Sequence, residues 1–114
     1  MSMPAIDRRP RDASEMVQAQ SQTNLLRVLA HPVRLQLLWL LVDEDLNVNA
    51  LADRLGKPQA IVSQQLRILR MAGLVESSRS HGFAIYRITE PNRRDLLRGI
   101  HEFSEKLSHV LQGH

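Results

Sequence analysis

The chain has no cysteine among its 114 residues. This absence excludes disulfides, thiolate metal sites and cysteine nucleophiles, and it fits a reducing compartment. Aromatic residues are also scarce, at 4% of the sequence. The apolar residues are mostly leucine, isoleucine, valine and alanine, which favours a helical protein.

Long apolar runs are lacking as well. The longest of them, such as residues 37–42, fall far short of the ~20 residues that a membrane span requires. Charged residues stand near the N-terminus, where a signal peptide would have its apolar segment. The sequence therefore predicts a cytoplasmic protein with no membrane partner, and its length fits a single domain.

Common enzyme signatures are missing too. There is no G-x-S-x-G elbow, no phosphate-binding glycine loop and no paired-carboxylate pattern. Ser63 is accounted for by the helix in which it lies. We therefore expect a protein that is not an enzyme.

Acidic residues are absent from positions 54–75. Between Arg54 and Thr89, six basic residues stand against the single acid Glu76, which gives this segment a formal charge of +5. The other nine basic and eleven acidic residues give the rest of the chain −2. A positive segment on a nearly neutral body is typical of a protein that docks one surface on a polyanion.

Residues 57–73 (KPQAIVSQQLRILRMAG) predict a helix of about four turns, with Pro58 at its first position and Gly73 as its C-terminal cap. Its apolar positions form one stripe: Val62, Leu66 and Leu69, with Ile61 and Ile68. Another face carries small, uncharged polar or basic residues: Ala60, Ser63, Gln64, Arg67 and Arg70. This face suits phosphates and base edges, so we interpret the segment as a DNA recognition helix.

Three helices are predicted before it. The first spans residues 13–30, and the second runs from Pro32 to about Val42 with Trp39 in the core and His31 as a cap or interhelical contact. The third is short, is capped by either Asn47 or Asn49, and ends at Gly56. Two short helices joined by a tight turn predict a helix-turn-helix.

A hairpin and a last helix follow it. Residues 74–80 and 83–89 are β-prone runs joined by a turn at 80–82, and residues 90–112 predict a long helix. That helix has a one-sided apolar arc: Leu96, Leu97, Ile100, Phe103, Leu107, Val110 and Leu111. Such an arc requires a partner face, which the first helix and a second copy of the chain would supply. Residues 1–12 are predicted to be a flexible basic arm, either solvated or touching DNA, and residues 13–112 the domain.

This order of elements resembles the winged-helix repressors of the ArsR/SmtB family. The resemblance covers about residues 25–88, and several short motifs carry it: Leu29 to Leu35, Leu37-Leu38, Val48, Leu51-Ala52, Leu55-Gly56, Val62 to Leu66, Leu69, Ala72 to Val75, Gly82 and Ile85-Tyr86. It implies a mainly α winged helix-turn-helix (α-α-α-α-β-β-α) that dimerises through its first and last helices. It also implies two recognition helices in successive major grooves of a pseudo-palindromic operator, and repression relieved or altered by an inducer.

Carried over by position, the resemblance assigns contacts with double-stranded DNA to the recognition helix and the hairpin: Lys57, Gln59, Ala60, Ser63, Gln64, Arg67, Arg70, Arg79 and His81. Glutamine can pair with adenine and arginine with guanine, whereas Gln65 is expected on a solvated or packed surface. The alternative function is a winged-helix protein-interaction module with weak or no DNA binding. That module would have an acidic or apolar recognition face, and the face predicted here is cationic.

The inducer is open at this stage. Without thiols, the arsenic, cadmium and sulfide-sensing patterns of the family are absent, and Glu90-Pro91-Asn92 lacks the acid-x-His pair used by other metal sensors. A histidine and acid series remains at i, i+4 and i+8: His101, Glu105 and His109. These side chains are either solvated or ligands for nickel, cobalt or zinc.

Overall fold

The computed structural model describes residues 13–89 and 91–111, without the side chains at positions 91–93, 96 and 111. Over these residues the elements are α1 (Ala13–Leu29), α2 (Pro32–Asp43), β1 (Leu46–Asn47), α3 (Val48–Leu55), α4 (Gln59–Met71), β2 (Val75–Ser80), β3 (Phe83–Ile88) and α5 (Pro91–Leu111). The predicted order of helices and hairpin is confirmed. The predicted arm at residues 1–12 and residues 90 and 112 lie outside the described residues.

Helix α2 is the centre of the core. It contacts α1, α3, α4, α5 and β3. Its leucines at positions 37, 38 and 41 are completely buried, as the apolar character of most of its sides predicts. Because α3 and α4 both pack on this helix, its position fixes that of the helix-turn-helix.

Trp39 is an exception to the predicted core. Its side chain is 38% exposed, and its ring meets the ring of His101 edge to face with centroids 5.1 Å apart. At about 100° per residue, Trp39 falls outside the arc occupied by Leu37 and Leu41. The prediction of a core tryptophan is wrong, because the side chain lies at the edge between α2 and α5.

The packed side of α4 consists of Val62, Leu66 and Leu69, each with no exposed surface. This part of the predicted stripe is confirmed. Ile61 is 41% exposed and was wrongly placed in the stripe, because it lies about 100° around the helix from Val62 and beyond the buried arc. Ile68 is half-buried.

The first residues of the helices differ in how they are capped. Asn47 Oδ1 accepts a hydrogen bond of 2.8 Å from the backbone N–H of Ala50, which decides between the two predicted caps of α3. His31 occupies the N-cap position of α2, but its side chain makes no capping bond. Pro58 is likewise the N-cap of α4 rather than its first helical residue.

Two glycines end α3 and α4 in the same way. Gly56 and Gly73 have φ angles of 63° and 78°, a backbone conformation that favours glycine. After α3, the N–H of Lys57 donates to the carbonyl of Ala52 at 3.1 Å; after α4, the N–H of Leu74 donates to that of Leu69 at 3.0 Å. These bonds satisfy the last carbonyls and turn the chain sharply, first into α4 and then into the hairpin.

Strands β2 and β3 form the predicted hairpin, with Ser80 opposite Phe83 and Val75 opposite Ile88. His81 and Gly82 make its two-residue turn with φ angles of 52° and 83°. The sequence did not predict β1, which pairs antiparallel with β3 and gives a sheet ordered β1-β3-β2. The extra strand attaches the hairpin to the segment that leads into α3.

No single helix among the described residues is long and apolar enough to cross a membrane. Together α1 and α2 reach that length and apolarity, but they meet at an angle of 91°, and α2 lies in the core.

The cap of α3 gives a test of this local structure. Replacing Asn47 by alanine leaves an N–H of the first turn without its acceptor, so we expect the free energy of unfolding to fall by about 1 kcal/mol. The matched control is Asn49→Ala, an exposed position inside α3 that is expected to be neutral or slightly stabilising. Chemical denaturation at one fixed protein concentration measures both. Equal losses for the two variants would contradict the assignment of the cap.

Candidate nucleic-acid interface

The outer face of α4 is formed by residues that lie away from its buried stripe. Ala60, Gln64 and Arg67 follow one another at i, i+4 and i+7, and all three are exposed. Ser63 lies beside them and is also exposed. Gln65 is half-buried and its Oε1 is enclosed, which agrees with the prediction that it does not belong to this face.

The N-terminal end of α4 and the turn before it, called here the leading end of α4, add Gln59 and Lys57, which are both exposed. They stand at the sharp turn after α3, where the N-terminus of a second helix in a helix-turn-helix approaches the major groove. All nine predicted DNA-contacting residues are therefore solvent-accessible. Seven of them belong to α4 or to the turn before it, and two belong to the tip of the hairpin.

Arg70 connects these two parts. Its Nη1 donates a hydrogen bond of 3.3 Å to Oγ of Ser77 in β2. This contact holds the hairpin beside the end of α4. The guanidinium is still exposed, so Arg70 combines a positioning contact with a free cationic surface.

The hairpin tip carries Arg79 and His81. Nη1 of Arg79 donates to the carbonyl oxygen of Gly82 at 3.3 Å, and Nδ1 of His81 lies 3.1 Å from Oγ of Ser80. Both contacts are at the surface. They orient the two side chains at the end of a two-stranded ribbon, which is the part of a winged helix that can extend along a DNA backbone.

Ion pairs reduce the charge that this surface can present. Nη2 of Arg54 lies 2.5 Å from Oε1 of Glu44, and Nε of Arg87 lies 2.8 Å from Oε1 of Glu76. Within the described part of the chain, the remaining basic residues of the segment have no carboxylate partner: Lys57, Arg67, Arg70 and Arg79. These four cations lie on α4, the turn before it and the hairpin, so the predicted positive surface is concentrated there.

Two further apolar surfaces lie on the outer helices. Side chains on α1 and α5 are largely exposed in the single chain: Met16, Val17 and Leu26 on α1, and Phe103, Leu107 and Val110 on α5. Exposed apolar side chains at helical spacing indicate a surface that another protein covers. These are the two helices predicted to form a dimer.

The predicted metal ligands lie on α5. Nε2 of His101 is 3.1 Å from Oε1 of Glu105, one turn further along the helix. His109 follows eight residues after His101, about 12 Å along the axis, so these two histidines of one chain cannot bind the same ion. Among the described residues, no three His, Asp or Glu side chains come together as a metal site. The metal site remains a prediction.

His101 also borders a cavity of about 260 Å³ between α2 and α5. Its wall is formed by apolar and charged side chains: Trp39, Val42, Asp43, Leu97, Arg98, His101 and Glu102. Polar contacts join the two helices around it, from Arg94 to the carbonyl oxygen of Val42 and from Arg98 to Asp43 at 3.4 Å. These contacts attach the first part of α5 to the C-terminal end of α2.

Comparison with known proteins gives consistent matches. Residues 31–77 match the family model described as bacterial regulatory protein, arsR family. A biofilm growth-associated repressor of Xylella fastidiosa (strain 9a5c) is 37% identical over 97 residues, which cover 83% of this chain and 85% of the relative.

Solved structures agree in fold. The crystal structure of the transcriptional repressor BigR from Xylella fastidiosa has a TM-score of 0.71 and 36% identity, covering 79% of this chain and 89% of that one. The homodimeric winged helix-turn-helix DNA-binding domain of Mb0332 from Mycobacterium bovis, a possible ArsR-family transcriptional regulator, has a TM-score of 0.78 and 25% identity, covering 91% and 94%.

The charge distribution gives a test of the interface. Because Arg79 has no carboxylate partner, we expect it to contact a phosphate, and Arg79→Ala to lower the slope of log affinity for DNA against log salt by about 1 per protomer. Arg54→Ala is the matched control: it removes the same formal charge from a side chain already paired with Glu44. Fluorescence anisotropy over a salt series measures both slopes. If both variants changed the slope equally, the effect would be one of net charge and not of a phosphate contact.

Proposed function

The chain belongs to the arsR family of bacterial regulatory proteins and is a DNA-binding transcriptional regulator; we propose that it is a homodimeric repressor of a pseudo-palindromic operator, controlled by a small effector. The observation that carries the proposal is the outer face of α4, which has no acid and carries Arg67, with Lys57, Arg70 and Arg79 around it. None of these four cations has a carboxylate partner among the described residues. The family assignment also identifies the chain as a regulator and not an enzyme.

Repression is supported by the relatives. The biofilm growth-associated repressor and BigR are both named as repressors, and their similarity extends over more than three quarters of this chain. A repressor requires only that the protein occupy its operator tightly. The exposed helix-turn-helix and hairpin supply a surface for this, and no further activity is needed.

Sequence recognition is assigned to the middle of the outer face of α4. We assign adenine contacts to Gln64 and guanine contacts to Arg67, because the amide and the guanidinium can each form two hydrogen bonds with these bases. Ser63 can bond either a base or a phosphate. Gln59 and Ala60 belong to the same leading end of the helix, and Lys57, Arg70, Arg79 and His81 are assigned to the DNA backbone.

The dimer is supported by the uncovered apolar side chains of α1 and α5 and by the homodimeric state of the Mb0332 domain. Pairing two chains through these helices removes Val17, Phe103 and Val110 from water. It also gives the protein twofold symmetry. A symmetric protein with two recognition helices matches a pseudo-palindromic operator with half-sites about one helical turn apart.

A protein-interaction module without DNA binding is the alternative. It would use the same winged-helix fold but would be expected to carry an acidic or apolar face on α4. The face here has Arg67 and Gln64 at its centre and no acid. The chemistry therefore favours DNA.

The proposal is tested by binding to the promoter of the protein's own or neighbouring genes. We expect two protomers to bind one palindromic fragment, and Gln64→Ala or Arg67→Ala to weaken this specific binding by about 1–3 kcal/mol without changing the unfolding transition. Gln36→Ala, which makes the same change at an exposed position of α2, is the control and should bind as the unaltered protein does. Gel-shift titration with footprinting is the measurement. Unchanged affinity in both α4 variants would remove these residues from base recognition, and failure to bind any such fragment would contradict the function.

The effector is a separate part of the proposal. We propose nickel, cobalt or zinc as the candidates, because His101 and Glu105 place a nitrogen and an oxygen ligand 3.1 Å apart on an exposed turn of α5. Since the described residues of one chain do not complete a site, the remaining ligands would come from the partner in the dimer. His109 of a second chain is one such donor.

Calorimetric titration of the dimer with each of the three metals tests this effector. If the site exists, we expect stoichiometric binding that is lost in the double variant His101→Ala and His109→Ala, because each change removes an imidazole ligand. His81→Ala, on the hairpin tip, is the control and should retain binding. The absence of heat, or heat that persists in the double variant, would discard the metal site and leave the DNA-binding proposal intact.

A further inference from the structure

Ile61 is a large branched apolar residue that lies at the surface of α4. It is 41% exposed near the start of α4, and it is not among the residues that pack on the core. The next residue, Val62, is completely buried. The exposure of Ile61 is therefore local to its side of the helix.

The position of Ile61 on the helix places it at the edge of the DNA-facing surface. It lies about 60° around the axis from Gln64, and its side chain tilts toward the N-terminus of α4. In a helix-turn-helix, the residues at this end of the second helix contact base edges. Ile61 and Arg70 are nine residues apart, or about two and a half turns, and so lie on opposite sides of the helix. Since Arg70 contacts β2, the hairpin does not cover Ile61.

The chemistry of the side chain restricts what it can recognise. Isoleucine has no hydrogen-bond donor or acceptor, and the only apolar group that a base presents in the major groove is the C5-methyl group of thymine. Cytosine carries only a hydrogen at C5, and it has an amino group on C4 where thymine has its O4 oxygen. The methyl group of thymine is therefore the group of a base edge that an exposed isoleucine at the leading end of α4 is chemically suited to contact.

Resting on the DNA-binding function proposed above, we propose that Ile61 is a specificity-determining residue that packs against the C5-methyl group of one thymine in each half-site of the operator. Ile61 and Gln64 are neighbours on one helix face. The thymine therefore lies within one or two base pairs of the adenine assigned to Gln64. Two A·T pairs of each half-site therefore face the leading end of α4.

Replacing thymine by deoxyuridine in the bound fragment removes only the methyl group, and this gives a direct test. Each thymine is replaced in turn, at symmetric positions in both half-sites, and the dissociation constant is measured by anisotropy. We expect one position per half-site to respond, with affinity weakened about four-fold for one methyl group and about fifteen-fold for both, as expected for losing the burial of one and two such groups.

The Ile61→Ala variant completes the test. Its affinity should be insensitive to uracil at the responding position, because the side chain that contacts the methyl group is gone. Met71→Ala is the matched control, since Met71 is an exposed apolar residue near the other end of the same helix and its replacement should leave the uracil effect unchanged. The exposure of Ile61 predicts little change in thermal unfolding for the first variant.

Three results separate the possibilities. Uracil sensitivity confined to one thymine per half-site and lost in Ile61→Ala supports the proposal. Affinity that no uracil replacement changes, or uracil sensitivity that persists in Ile61→Ala, overturns it while the DNA-binding function stands. If no fragment is bound by the unaltered protein, the proposed function fails first and this inference fails with it.

Discussion

The burial of one side of α4 is the interaction on which the rest of the structure depends. Val62, Leu66 and Leu69 lose all contact with water against α2 and α3, and each such burial contributes about 1.5–3 kcal/mol. Because these three side chains fix the rotation of the helix about its axis, they also determine which residues face outward. Gln64 and Arg67 meet solvent because Leu66 and Leu69 do not.

Much of this arrangement can be predicted from the sequence, because the spacing of apolar residues along a helix and the residue types that end a helix are local properties of the chain. The repeat of Val62, Leu66 and Leu69 specifies a packed side, and Gly56 and Gly73 mark the ends of α3 and α4. The predictions that were wrong concern apolar residues that lie at the surface. Ile61 and Trp39 are apolar and were assigned to the core, but burial depends on which arc of a helix meets a neighbour, and one residue's identity does not determine that arc. Strand β1 has two residues and no periodicity, so only its pairing with β3 identifies it.

The candidate interface shows a similar limit for charge. Counting residues 54–89 gives +5, but the count does not tell which charges are available to a ligand. Two of the arginines, Arg54 and Arg87, lie within 3 Å of a carboxylate oxygen. The partner of Arg54 is Glu44, which lies outside the counted segment. Sequence could not predict that pair, because it joins α3 to the end of α2 across ten residues. The structure thus keeps the positive surface but confines it to α4, the turn before it and the hairpin.

Helix α2 contacts both α5, which carries uncovered apolar side chains, and α4, which carries the candidate DNA-binding face. The second half of α5 leaves Phe103 and Val110 uncovered, while its first half contacts α2 through Arg94, Arg98 and the edge-to-face contact between His101 and Trp39. Helix α2 in turn buries the packed side of α4. Because α5 and α4 both pack on α2, the helix that anchors the first part of α5 also sets the orientation of the outer face of α4.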